Sequence, residues 1–111
     1  VVTNKATEFT LPLLERTGLA PYFQAVVCGD TLAHAKPHPA PMLHACDLLK
    51  STPARSVTIG DSINDAQSAR AAGCSVLAVP DGYNEGQSVQ TLDVDAIVDS
   101  IEAAAHWVAA R

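Results

Sequence analysis

The chain has no C-x-x-C spacing, no apolar run near membrane-spanning length and little positive charge. Its three cysteines, Cys28, Cys46 and Cys74, are an odd number. Without paired spacing they indicate neither a zinc site nor a disulfide framework. Each lies within or beside an apolar run and reads as a small buried hydrophobe. Free thiols of that kind suit a reducing, cytoplasmic setting. No apolar run approaches the roughly 18 residues expected of a transmembrane helix, and no signal-peptide pattern opens the chain. Lys and Arg total 7 against 12 Asp and Glu, a net charge of −5. That balance argues against nucleic acid or an anionic membrane as a partner. It leaves room for a small phosphate, which needs only one local cation. Repeats and low-complexity tracts are also absent.

Size is a further limit. A chain of 111 residues holds one domain at most and is too small for a typical two-domain enzyme. It starts Val1-Val2, inside an expected apolar strand, and so residues 1–111 read as a fragment of a larger core.

Short apolar runs alternate with helical stretches. Residues 1–3, 25–28, 56–59 and 75–79 are expected strands, with 95–98 a short last one. Helices are expected over residues 7–17, 41–49 and 62–72, with a last one capped by Asp99. Pro12 is tolerable only in a first turn, or it kinks its helix. The expected apolar faces are Phe9, Leu13 and Leu14; Leu43, Cys46 and Leu49; and Ile101, Ala105 and Val108. Trp107 is expected to pack on the last helix. Residues 31–39 and 82–91 read as loops, and Gly82 to Gly86 as either a plain connection or a flap over a site. Strands alternating with helices predict an α/β fold, a Rossmann-like parallel sheet with helices on both faces.

The chemistry concentrates in Gly60-Asp61-Ser62-Ile63-Asn64-Asp65, between the strand at 56–59 and the next helix. In open α/β sheets ligands bind at the carboxyl ends of strands, and an oxygen-rich site suits Mg²⁺. The plain structural reading is a capping box, Ser62 with Asp65. That reading leaves Asp61 unexplained, since an acid at the end of a buried strand must be hydrated, paired or bound to metal. Lys36, held between His34-Ala35 and Pro37-His38-Pro39, can present one ammonium to a phosphate or can be a solvated loop lysine. His34 and His38 read as loop residues. Thr3 and Asn4 end a strand and can cradle an anion with backbone N–H groups, or simply cap the next helix.

Taken in order, these pieces resemble the haloacid dehalogenase superfamily of phosphatases. Val1-Val2-Thr3 is similar to its second motif, Lys36 to the lysine of its third, and Gly60 to Asp65 to its fourth, acidic motif. The closer likeness is to the bacterial phosphoglycolate phosphatase group, through Val1-Val2-Thr3-Asn4-Lys5, Lys36-Pro37-His38-Pro39, Gly60-Asp61-Ser62-Ile63-Asn64-Asp65 and Gly82-Tyr83-Asn84. The first motif, Asp-x-Asp-Gly-Thr, is absent, as is the helical cap domain. The resemblance implies a Mg²⁺-dependent phosphomonoesterase acting on a small organic phosphate, 2-phosphoglycolate being the best single guess. It implies Asp61 as metal ligand, Asp65 as a support for metal-bound water or Lys36, and Thr3 with the Asn4 N–H as phosphate binders. Lys36 would offset charge on nucleophile and phosphate. The nucleophilic Asp would lie upstream, on a strand between those ending at Thr3 and Ile59. Without it the chain is expected to be inactive, and to be unstable or to form a homodimer through exposed sheet edges. Rival readings are a sugar-phosphate phosphatase or phosphosugar mutase of the same superfamily, and a non-catalytic phosphate-binding domain. A receiver-like signalling domain fits less well, because Lys36 precedes the acidic motif.

Overall fold

The computed structural model describes residues 1–80 and 93–110. The expected loop from Gly82 to Gly86 lies outside the described residues. Three parallel strands form one sheet in the order β1 (Val57–Gly60), β2 (Ser75–Ala78) and β3 (Ala96–Ile97). The helices are α1 (Thr7–Arg16), α2 (Ala40–Leu48), α3 (Ile63–Ala72) and α4 (Ile101–Ala109). Short 3-10 turns occur at Ala20–Tyr22 and Pro53–Arg55. This is the α/β alternation that the apolar runs predicted.

β2 is the buried strand. Val76, Leu77 and Ala78 are all buried, although successive side chains point to opposite faces. Both faces of β2 are therefore covered, as a parallel strand requires. α3 ends where the sequence says it should, with Gly73 in the left-handed conformation at φ 92°, a geometry glycine adopts without a Cβ penalty.

The expected strands at 1–3 and 25–28 reduce to a single parallel bridge, Val2 with Val27. Val27 N–H donates to the Val1 carbonyl at 2.8 Å, and Thr3 N–H to the Val27 carbonyl at 2.9 Å. Between this pair and β1 runs a cleft of about 660 Å³. Val1, Val2 and Ala25 line one side and Val57, Thr58 and Ile59 the other. Ser75 N–H bonds the Ser56 carbonyl and Val79 N–H the Gly60 carbonyl. In a parallel ladder alternate residues bond the same neighbour, so the backbone groups of Val57 and Ile59 face away from β2.

The helix faces agree with expectation at Leu14 and Cys46 and differ elsewhere. In α1 the buried positions are Thr10 and Leu14, while Phe9 and Leu13 are exposed. Pro12 lies inside α1, not in its first turn. In α2 they are Pro41, Met42 and Cys46, with Leu43 and Leu49 exposed. In α4 Ala104 is buried, Ile101, Ala105 and Val108 are exposed, and Trp107 is half-buried. Each helix is apolar on more than one side, so periodicity alone does not choose the side that meets the sheet. Asp99 is not the last cap. Ser100 is, its hydroxyl oxygen accepting the Ala103 N–H at 3.0 Å.

Candidate active site at the carboxyl ends of the strands

β1 runs out at Gly60, and α3 begins three residues later. Ser62 takes the extended conformation of an N-cap, and a complete capping box forms with Asp65. Ser62 Oγ accepts the Asp65 N–H at 3.4 Å, and Asp65 Oδ2 accepts the Ser62 N–H at 3.3 Å. The same Oδ2 also takes the Asp61 N–H at 3.0 Å and the Ser62 hydroxyl at 3.2 Å. Gly60 makes room for this: a Cβ there would lie 2.5 Å from both Cβ and Oδ2 of Asp65. Any larger residue at position 60 has to displace the carboxylate.

The other oxygen of Asp65 faces Lys36. Lys36 Nζ donates to Asp65 Oδ1 at 2.5 Å and to the Val2 carbonyl at 2.9 Å. Both side chains are 11% exposed. Burial pushes the Asp65 carboxyl up, and the Lys36 ammonium with the Asp61 and Ser62 donors outweighs it. The net direction is down, so Asp65 is ionised at neutral pH. Asp65 thus completes the capping box of α3 and anchors Lys36.

Lys36 is also held through its main chain. Its N–H donates to Asn4 Oδ1 at 2.9 Å, and Asn4 Nδ2 donates to its carbonyl at 3.0 Å. Thr3 does not cap α1. Its Oγ1 accepts the Lys5 N–H at 3.1 Å, a local turn bond. The residue that serves the start of α1 is Asp30, which was not singled out from sequence. It accepts the Thr7 N–H at 2.9 Å and the Thr7 hydroxyl at 2.6 Å, bonds that hold its carboxyl below the usual range. Its only sequence signal is its place in Gly29-Asp30 after an apolar run.

Thr3, Asn4, Lys36, Asp61, Ser62, Asn64 and Asp65 line one polar depression of about 290 Å³. Every candidate residue named from sequence is at its wall, gathered from three separate segments. His34 and His38 stack on each other with centroids 4.1 Å apart and do not line it. The His38 carbonyl accepts the Ser68 hydroxyl at 2.7 Å, which ties the lysine loop to α3. All three cysteines are free and buried. Burial, then the neighbouring Cys46, pushes the Cys74 thiol up to about 11, which makes it an inert packing group.

Among the described residues no cluster of three or more His, Cys, Asp or Glu could hold a metal ion. Mg²⁺ does not need one, since it commonly binds through one or two carboxylates, waters and substrate phosphate. The donor set here is compatible with that mode: hard oxygens only, with Asp65 already taken up by four donor contacts and Asp61 the other carboxylate in the depression.

Residues 1–79 match the family described as haloacid dehalogenase-like hydrolase. The chain is 55% identical over 107 residues to a phosphoglycolate phosphatase of Thiobacillus denitrificans, covering 96% of this chain and 47% of that protein. It is equally similar, 55% with the same coverage, to one of Nitrosospira multiformis. It therefore spans about half the length of the curated relatives it matches. A crystal structure of a predicted phosphoglycolate phosphatase from Haemophilus somnus superposes with a TM-score of 0.86 at 36% identity, over 90% of this chain and 44% of that one. A family match across the bridge, the lysine loop, β1, α3 and β2 leaves no ambiguity about descent: the chain belongs to the haloacid dehalogenase-like hydrolases.

Proposed function

We propose that this chain is the carboxyl-terminal part of the catalytic core of a Mg²⁺-dependent phosphomonoesterase for small organic phosphates, 2-phosphoglycolate first among them. The observation that carries this is the convergence of Thr3, Asn4, Lys36, Asp61 and Asp65 on one depression at the strand ends. The 55% identity to phosphoglycolate phosphatases supports the choice of substrate.

The chemistry must bring an anionic nucleophile to an anionic phosphate, and that repulsion is the main obstacle. Lys36 faces it with an ammonium fixed by Asp65 and the Val2 carbonyl. Thr3 and the Asn4 N–H bind the transferring phosphoryl oxygens. Asp61 would hold Mg²⁺, and Asp65 keeps Lys36 in place. Mg²⁺, when bound, offsets charge on phosphate and nucleophile. The nucleophile is an aspartate outside this chain, on a strand entering the cleft between Val2 and β1. It would displace the ester oxygen from phosphorus, the alcohol leaving with a proton from a general acid likewise outside this chain. Water would then cleave the aspartyl-phosphate to carboxylate and inorganic phosphate, so one hard step becomes two easier ones.

The test is a panel of phosphomonoesters offered to a full-length protein carrying these 111 residues. Hydrolysis of 2-phosphoglycolate is expected at the highest kcat/KM, with activity lost on chelation of Mg²⁺. A preference for sugar phosphates would transfer the assignment to that class. No hydrolysis of any member would favour a non-catalytic phosphate-binding domain.

The 111 residues alone are a different matter. Among the described residues no strand pairs with the edge formed by Val57 and Ile59, and open edges pair with other chains. Sedimentation of the isolated chain is expected to show a dimer or larger species, or else a broad, weakly cooperative melt. A monomer with a sharp unfolding transition at low concentration would count against the open-edge account.

A further inference from the structure

Lys36 sits on a loop 32 residues away from Asn4 in sequence, yet the two meet in a reciprocal pair. The Asn4 side-chain oxygen takes the Lys36 N–H at 2.9 Å while its amide nitrogen donates to the Lys36 carbonyl at 3.0 Å. An amide presents one acceptor and two donors, and here it reads both main-chain groups of a single residue, as a neighbouring strand would. Asn4 is itself held tightly. A Cβ on Gly29 would lie 2.0 Å from the Asn4 carbonyl oxygen, and Gly29 N–H donates to the Lys5 carbonyl at 2.8 Å. The Gly29 main chain thus packs against Asn4, and the Asn4 side chain fixes the Lys36 main chain. The Lys36 ammonium, four methylenes away, is fixed independently by Asp65 and Val2.

We propose that Asn4 is a positioning residue whose side-chain amide sets the place of Lys36, in addition to any contact its main-chain N–H makes with phosphate. The lysine is then pinned at both ends, backbone by Asn4 and head group by Asp65, so its charge is aimed before substrate arrives. Preset charge needs no reorganisation during reaction, and a misplacement of about 1 Å in such a group can cost on the order of a hundredfold in rate. The kinetic part of this inference rests on the phosphatase reading; the structural part does not.

The test uses a full-length protein carrying these residues and the variant Asn4→Ala. Amide hydrogen exchange comes first. Lys36 N–H is expected to lose its protection while Val76 and Leu77 in β2 keep theirs. Asn4→Asp, which retains the acceptor oxygen, is expected to keep Lys36 N–H protected. Unchanged exchange at Lys36 in Asn4→Ala overturns the proposal, and so does equal loss throughout the core, which would make Asn4 a general fold residue. Kinetics with p-nitrophenyl phosphate come second. Asn4→Ala is expected to lower kcat about ten- to a hundredfold with KM little changed. In a Lys36→Ala background the same change is expected to have no further effect, because no ammonium remains to be aimed. Losses that multiply in the double variant overturn the proposal, since Asn4 would then act apart from Lys36. If the parent protein hydrolyses no phosphate ester, the phosphatase reading fails alone, and the exchange result still decides the clamp.

Discussion

Asp61→Asn in the full-length protein is expected to abolish the proposed Mg²⁺-dependent hydrolysis. The change keeps size and one oxygen and removes the charge that a hard dication needs. A metal that neutralises transition-state charge is worth several kcal/mol, so the loss is about a thousandfold or more. The cap of α3 is expected to survive the change. The capping network uses the Asp61 main-chain N–H, bonded to Asp65 Oδ2 at 3.0 Å, and asparagine keeps that group. Activity measured against Mg²⁺ concentration, beside a thermal melt, checks both halves. Near-wild-type turnover with unchanged Mg²⁺ dependence would refute the assignment of Asp61.

Lys36→Ala is the second large effect, and it acts in two ways. Turnover is expected to fall by about a thousandfold, because the positive charge proposed to face the phosphoryl group is gone. KM stays close to its original value if that charge works mainly in the transition state. A raised KM with kcat intact would make Lys36 a binding residue instead. The other effect is on stability. Asp65 is mostly buried, and without Lys36 its burial acts against ionisation with fewer opposing donors. Removing one partner of a buried pair costs on the order of 3 kcal/mol. The pH dependence follows from the signs. With Lys36 present the Asp65 carboxyl lies below its ordinary value of 3.8, so its contribution is complete above that pH. It is lost as pH falls through the lowered value. In Lys36→Ala that acid-side loss shrinks, and the protein is weaker at neutral pH. Urea melts at pH 7 and near pH 3 separate this from the catalytic effect.

The legible parts of this molecule are the contiguous ones. The strand, the turn and the cap from Val57 to Asp65 lie within nine positions, so strand composition and the Ser62–Asp65 spacing are enough to read them. The α/β alternation is equally local, since β1, α3 and β2 follow one another without a break in pattern. What escaped was long-range or degenerate. The Asn4–Lys36 clamp joins residues 32 positions apart, and nothing in either segment announces the other. The reach of Asp30 to Thr7 spans 23 positions. The buried faces of α1 and α2 were read only in part, through Leu14 and Cys46, and that of α4 not at all, because apolar residues occupy several sides of each. Asp99 and Ser100 are adjacent and both able to cap, and only the backbone path selects Ser100. The convergence of Thr3, Lys36 and Asp61 was foreseen through the family likeness, not through any spacing.

Asp65 divides its two oxygens between two tasks, one holding the start of α3 and the other holding Lys36. In engineering terms this removes a freedom that most active sites leave open. Stabilised variants are often obtained by relaxing a strained catalytic residue, at a cost in activity. Here the same carboxylate stabilises and orients, so there is no trade to exploit at position 65. A library selected for heat resistance alone should therefore keep Asp65, and with it Gly60, as firmly as one selected for turnover.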